Sequence, residues 1–201
     1  MTTERDEPII VTFIGPTAAP PSFAIEAAES VAAESPCQKR KVGISIYVSA
    51  WSLPGGREVV EPGAIASGFN GPPDPGVCDG STLCRRDCAK RCVHAETRAI
   101  AEVDTVHPEY LYEPHRVRLV HVKLDDSGKI MPCDGPSCVD CSKIILDRGL
   151  GGIWLYELGE FVPPTRPEMF SRMPPRWVYY PAAEFHRVTC QRTGVYQPGQ
   201  P

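Results

Sequence analysis

Seven of the nine cysteines in this 201-residue chain fall between Cys78 and Cys141, and that crowding limits what the segment can be. An odd number of thiols cannot close a complete disulfide framework. The first eight residues include Glu4, Asp6 and Glu7, where an export signal would start basic and turn apolar. The expected location is the cytoplasm, where thiols stay reduced and clustered cysteines serve metal binding or chemistry. From Cys78 to Cys92 the chain is rich in Cys, Arg and Asp and has no apolar face, so packing alone would not hold it.

The remainder reads as one ordinary globular domain. Hydrophobic residues make up 42% and charged residues 23%, enough for a single core and against wholesale disorder. The longest apolar runs fall well short of the 18 or so residues of a membrane span, so no membrane partner is expected. A net charge of -4 gives no general attraction to a nucleic acid or an anionic membrane.

Periodicity supplies the elements. Ile9 to Ile14 is a short strand-type run broken by Gly15 and Pro16. Ser22 to Pro36 has helical spacing, with Ser22 as a candidate cap. Strands are expected at Val42–Val48, near Val59 or Ala64–Gly68, at Arg116–Leu124 and at Ile153–Glu157, and helices at His94–Val103 and Cys141–Arg148. Alternation of this kind predicts an α/β layered fold. We expect a core domain over residues 22–160, an N-terminal extension over 1–21 and a C-terminal extension over 161–201. The last holds eight of the 22 prolines, yet Trp177 to Tyr180 and Phe185 need burial, so it should pack on the domain.

The strongest chemical signal is His94-Ala95-Glu96, followed 44 residues after the histidine by Cys138-Val139-Asp140-Cys141. A Cys-x-x-Cys pair at a helix start sets two sulfurs on one side of a turn, and a histidine at another helix start completes three ligands. Three protein ligands leave one tetrahedral position open, the arithmetic of a catalytic rather than a structural zinc site. Glu96 is close enough to exchange protons with a water there without ligating.

The flanks carry a resemblance. Cys37 to Gly43, then Gly68-Phe69-Asn70-Gly71-Pro72-Pro73, then Cys92 to Ile100, then Cys138 to Ile145 with Gly149-Leu150 stand in the order of a known family. Over residues 22 to 158 the chain resembles the deoxycytidylate deaminase branch of the cytidine deaminase-like superfamily. The resemblance implies a three-layer α/β/α fold with a central mixed five-stranded sheet, and hydrolytic loss of ammonia from C4 of a cytosine ring. It implies His94, Cys138 and Cys141 as zinc ligands, Glu96 as the acid/base group and Asn70 as a substrate-binding residue in the sugar loop. Asn70 between glycines also suits a turn. It further implies a pyrimidine nucleotide as substrate, dCMP foremost, and a homo-oligomeric assembly.

The chain departs from the family pattern in three places. Ser137 stands where the motif has proline, with Pro136 one place earlier. A rival register would use Pro132-Cys133 with Cys138, but the residues after Cys141 keep the family's distances only for the Cys138/Cys141 pair. Cys78, Cys84, Cys88 and Cys92 form an insert in which the last three are four apart, on one helical face. These four are candidates for a second, structural zinc, in a region where some family members carry one. The cluster Arg85, Arg86, Lys90 and Arg91 could grip a phosphate or be a solvated face; His107, His115, His121 and His186 read as structural or exposed. A cytosine in single-stranded DNA or RNA is the less favoured substrate because such strands need a positive channel. A modified nucleoside stays open.

Overall fold

A computed structural model describes residues 9–12, 19–53, 57–60, 63–73, 78–82, 92–136, 138–158 and 174–195. Thirteen residues of strand β2 (Lys41–Leu53) run through the middle of the sheet. Along one edge β2 pairs antiparallel with β5 (Val117–Leu124), from Lys41 opposite Leu124 to Val48 opposite Val117. Along its other edge it pairs first with β4 (Ala66–Phe69) and then with β3 (Arg57–Val60), with a register shift between Ala50 and Ser52. Strand β1 (Ile9–Thr12) pairs with β3. Beyond β5, β6 (Gly152–Glu157) runs parallel to it, and β7 (Arg176–Pro181) closes the far edge antiparallel to β6. The strands β4-β2-β5-β6-β7 are the mixed five-stranded sheet that the resemblance implies, and β3 and β1 lengthen its β2 end.

Side-chain alternation decides the layers. On one face, Tyr47, Val120, Val122, Leu124 and Trp154 pack under helix α1 (Ser22–Glu34), which buries Ala24, Ala28 and Ala32 at four-residue spacing. Trp154 donates its indole N–H to the Tyr47 hydroxyl at 3.0 Å, satisfying both polar groups inside this layer. On the other face, Ile44, Ile46, Leu119, Ile153 and Leu155 meet helices α2 (Ala95–Val106), α3 (Val139–Asp147) and α4 (Ala182–Thr193). The result is three layers, α/β/α. Among the described residues, no helix is long and apolar enough to cross a membrane.

Two glycines bring helices onto strands. A side chain at Gly43 of β2 would strike the carbonyl of Ala28 and come within 2.6 Å of the Ala32 nitrogen, so α1 can lie this close only over glycine. At Gly68 of β4 a Cβ would sit 2.7 Å from both the Ala95 oxygen and the Ala99 nitrogen, which lets β4 seat the first turns of α2.

Several elements differ in detail from expectation. The cap of α1 is Pro21, not Ser22: the Pro21 carbonyl accepts from Ala24 and Ile25 at 3.0 and 3.2 Å, and no side-chain cap bond forms. Helix α3 starts two residues before Cys141, because Cys138 takes the cap position itself. Val59 and Ala64–Gly68 are alternatives in the sequence; the chain uses both regions, as β3 and β4.

The chain beyond residue 173 contributes β7 and α4. Phe185 is buried against the sheet, and α4 ends at Gly194 in the left-handed region, φ 73°. Glu157 on β6 accepts from the Tyr180 hydroxyl on β7 at 3.0 Å, while its other carboxylate oxygen is buried without a partner. Burial raises the Glu157 pKa above the ordinary carboxylate value, more than the Tyr180 bond lowers it.

Gly43→Ala is expected to lower unfolding stability by about 1–3 kcal/mol, since backbone would have to move; an unchanged urea midpoint would contradict the close packing of α1. A raised folded pKa means the native state holds its proton longer, so stability from Glu157 is complete below the unfolded carboxylate pKa and lost as pH rises through the folded one. Glu157→Gln should therefore melt higher than wild type at pH 7 to 8 but not at pH 4, and a pH-independent difference in Tm would count against this reading.

Candidate active site

Helices α2 and α3 point their N-termini at one place. His94 is the extended residue just before α2, with φ -73° and ψ 150°, and a bridge between Gly71 and Val93 holds the strand that leads into it. Cys138 occupies the same position before α3, where its sulfur accepts from the Cys141 backbone N–H at 3.4 Å. His94 Nδ1 lies 3.0 Å from Cys141 Sγ and 3.2 Å from Cys138 Sγ, and the three donor atoms all fall within 4.8 Å of one another. Among the described residues this is the group of side chains arranged to hold a metal ion.

The donors perturb one another. The Cys138 thiol is lowered to about 5, first by its bond with the Cys141 side chain and then, among smaller contributions, by His94. That thiolate raises His94 to about 9 through the hydrogen bond between them. The same thiolate, together with burial, pushes the Cys141 thiol well above the usual cysteine range. Two sulfurs and one imidazole nitrogen, brought together from separate helices, match the donor preference of zinc, and their number leaves a position open.

Glu96 is in the first turn of α2, 8% exposed, with its charge felt at both His94 and Cys141. A carboxylate there also suits the positive end of the helix. The group opens into a cavity of about 420 Å³ whose walls include Asn70, Cys92, Glu96, His121 and Cys138. A second cavity of about 220 Å³ adjoins it through Arg40, Val42, Glu96, His121 and Cys138, and continues to Cys133, Leu155 and Phe185. Cys133 thus lines the neighbouring cavity, and its thiol is pushed up chiefly by burial.

Asn70 is occupied by its own loop. Its side-chain oxygen accepts from Val42 N–H at 2.8 Å and from the Ser35 hydroxyl at 2.9 Å, and its amide nitrogen donates to the Arg40 carbonyl at 2.9 Å. The side chain staples the end of α1 and the start of β2 to the loop after β4, and one N–H remains for the cavity it lines. Arg98, two residues beyond Glu96, supports the same loop: it donates to the Pro72 carbonyl at 2.6 Å and stacks over Phe69, 5.0 Å from the ring centroid.

Of the four insert cysteines, Cys84 and Cys88 lie outside the described residues, as do Arg85, Arg86, Lys90 and Arg91. Cys78 accepts from the Gln38 N–H at 3.4 Å, and Cys92 lines the larger cavity together with Cys37. Sequence reasoning missed His121, whose place in a cavity wall has no local signature. Burial lowers its pKa from the ordinary histidine value, against the opposing charge of Glu96. His186 accepts from or donates to Ser142 at 3.0 Å, behind Cys141.

No known family model matches the chain, and no curated protein matches it. Some solved structures are distantly similar to it. The cyanophage S-TIM5 dCMP deaminase in complex with dCMP and dUMP is 22% identical, with 66% of this chain and 79% of that chain covered and a TM-score of 0.38. A cytidine deaminase from Burkholderia pseudomallei is 15% identical over 83% of this chain and 96% of that one, with a TM-score of 0.44. One from Mycobacterium tuberculosis is 16% identical over 77% and 87%, with a TM-score of 0.29.

Asn70→Ala is expected to cost about 1–3 kcal/mol of stability, because the partly buried Val42 N–H loses its acceptor and the Arg40 carbonyl its donor, while the Ser35 hydroxyl keeps the Asn70 backbone carbonyl at 2.6 Å. If Asn70 served a ligand alone, the substitution would leave the denaturation midpoint where it is.

Proposed function

We propose that this protein is a zinc-dependent hydrolase that removes the exocyclic amine of a cytosine nucleotide, dCMP foremost, giving the uracil product and ammonia. The observation that carries the reading is the meeting of His94 Nδ1 and the sulfurs of Cys138 and Cys141 with the Glu96 carboxylate beside them, in the wall of a cavity of about 420 Å³. The sequence motifs and the likeness to deaminase folds support the same reading.

His94, Cys138 and Cys141 would hold the ion, with both thiols and the imidazole free of their protons. Bound there, zinc supplies Lewis acidity that brings the pKa of water down to roughly 7. The rest falls to the chain. Glu96 would take one proton of the attacking water to ring N3, and then carry the second, from the oxygen now bonded to C4, to the amine as the C4–N bond breaks and the C4 carbonyl forms. Its burial keeps that proton from leaking to solvent. Asn70 and Arg98 hold the loop that forms one wall, and the remaining Asn70 N–H would serve the sugar.

The test is ammonia release from dCMP, CMP, cytidine, deoxycytidine, dCTP and a single-stranded oligonucleotide, with zinc measured on the same sample. Turnover of dCMP is expected, with Glu96→Gln keeping its zinc and losing about 10²–10⁴-fold in kcat. Zinc-loaded protein silent on the whole panel would overturn the proposal. One zinc per chain corresponds to the triad alone, and two would place a further ion at Cys78, Cys84, Cys88 and Cys92.

A further inference from the structure

The imidazole and the two thiols reach their meeting place on different supports. Helix α2, with His94 at its cap, is seated on β4 and β2, whereas α3, with Cys138 and Cys141, packs far more on α4 than on α2. The spacing between the histidine and the sulfurs is therefore set in large part from behind, by α4. Two residues of α4 reach the segment that bears the cysteines, one on each side of it. His186 meets Ser142, just after Cys141, and Arg192 lies over Gly135, three residues before Cys138.

At Ser142 the hydrogens can be assigned. Its hydroxyl donates to the Val139 carbonyl at 2.8 Å, which uses its single hydrogen, so His186 Nδ1 at 3.0 Å is the donor and the serine oxygen the acceptor. The Ser142 backbone N–H donates to the Cys138 carbonyl at 3.0 Å, and the Cys141 N–H to the Cys138 sulfur at 3.4 Å. One buried serine thus ties the turn that holds both thiols, and the bond from His186 fixes that serine to α4. Cys190, one turn further along α4, holds the imidazole from its own helix, with its sulfur 3.6 Å from Nε2. On the other side, Gly135 is buried with φ 87°, and a Cβ there would strike the Arg192 guanidinium and stand 2.9 Å from Glu157 Oε1. The guanidinium rests directly on the backbone that leads into Cys138. Zinc takes sulfur at about 2.3 Å and nitrogen at about 2.0 Å, so a displacement of α3 by a fraction of an ångström is felt at the ion.

We propose that His186 and Arg192 are positioning residues: from α4 they set the place of Cys138 and Cys141 relative to His94, His186 through Ser142 and Arg192 through Gly135. Neither residue lines the two cavities beside the site, so both act through the backbone that carries the ligands. The inference rests on the zinc deaminase reading. It makes α4, which falls in the expected C-terminal extension, part of the catalytic unit.

The experiment uses the full-length chain in a Cys84→Ser background, loaded with one equivalent of zinc. It reads zinc affinity by competition with a chromophoric chelator, the Tm of the metal-free form, and kcat and KM on dCMP. His186→Leu, which keeps the bulk and removes the donor, is expected to weaken zinc binding about tenfold or more and to lower kcat with little change in KM. His186→Asn, whose amide N–H takes the place of Nδ1–H, restores most of both. Arg192→Ala, at an exposed position, is expected to weaken zinc binding several-fold while the metal-free Tm stays where it is. Arg187→Gln, on the same helix and paired with Glu184, is the control and leaves all the readings in place. Zinc affinity that keeps its wild-type value in both His186→Leu and Arg192→Ala, or that His186→Asn fails to restore, would overturn the positioning role, whatever happens to Tm. Turnover of dCMP with zinc affinity indifferent to both substitutions refutes the role and keeps the deaminase. Zinc binding that both substitutions weaken, with no turnover of any compound by the unsubstituted protein, does the reverse.

Discussion

The long antiparallel pairing of β2 with β5 is the constraint on which the molecule depends. Because side chains alternate along both strands, this one register sends Gly43, Ser45 and Tyr47 toward α1 and Val42, Ile44 and Ile46 toward the other helices. A slip of one residue would turn Tyr47 and Val122 to the wrong layer and withdraw His121 from the cavity wall. The glycines at 43 and 68 then set how near the helices approach, and the approach of α2 fixes where His94 and Glu96 stand. Fold and site are two readings of one register.

The donors illustrate how helix ends serve chemistry. His94 and Cys138 both occupy cap positions, where the backbone is extended and the side chain is free of the helix's own packing. Neither uses a conventional oxygen cap, and Cys138 accepts the Cys141 N–H through sulfur instead. Each helix gives up a stronger cap and presents a ligand atom in its place. The following turns restore what is lost: Ile100 and Val103 on α2 and Ile145 on α3 are buried in the same core.

How much of this was legible in the sequence depended on distance along the chain. His94 with Glu96, and Cys138 with Cys141, are separated by two and three residues, so their local geometry follows from a single turn of helix. The α/β alternation was legible for the same reason, through residue spacing within each element. Helix α4 was not: it buries Ala182, Phe185, Thr189 and Cys190 among otherwise polar residues, just after a proline-dense stretch. The bond of His186 to Ser142 was hidden because the two lie 44 residues apart and meet only once α3 and α4 pack together. Asn70 was readable as a loop residue with a polar task, but not as the staple between Ser35, Arg40 and Val42, since three separate segments must be in place before those bonds exist.

The central claim is that His94, Cys138 and Cys141 together hold zinc beside Glu96. Zinc X-ray absorption on a Cys84→Ser variant, loaded with one equivalent of metal, addresses it most directly. The account predicts two sulfur neighbours at about 2.3 Å and lighter nitrogen or oxygen neighbours at about 2.0 Å. A shell of sulfur alone, or failure to retain the ion, would contradict it.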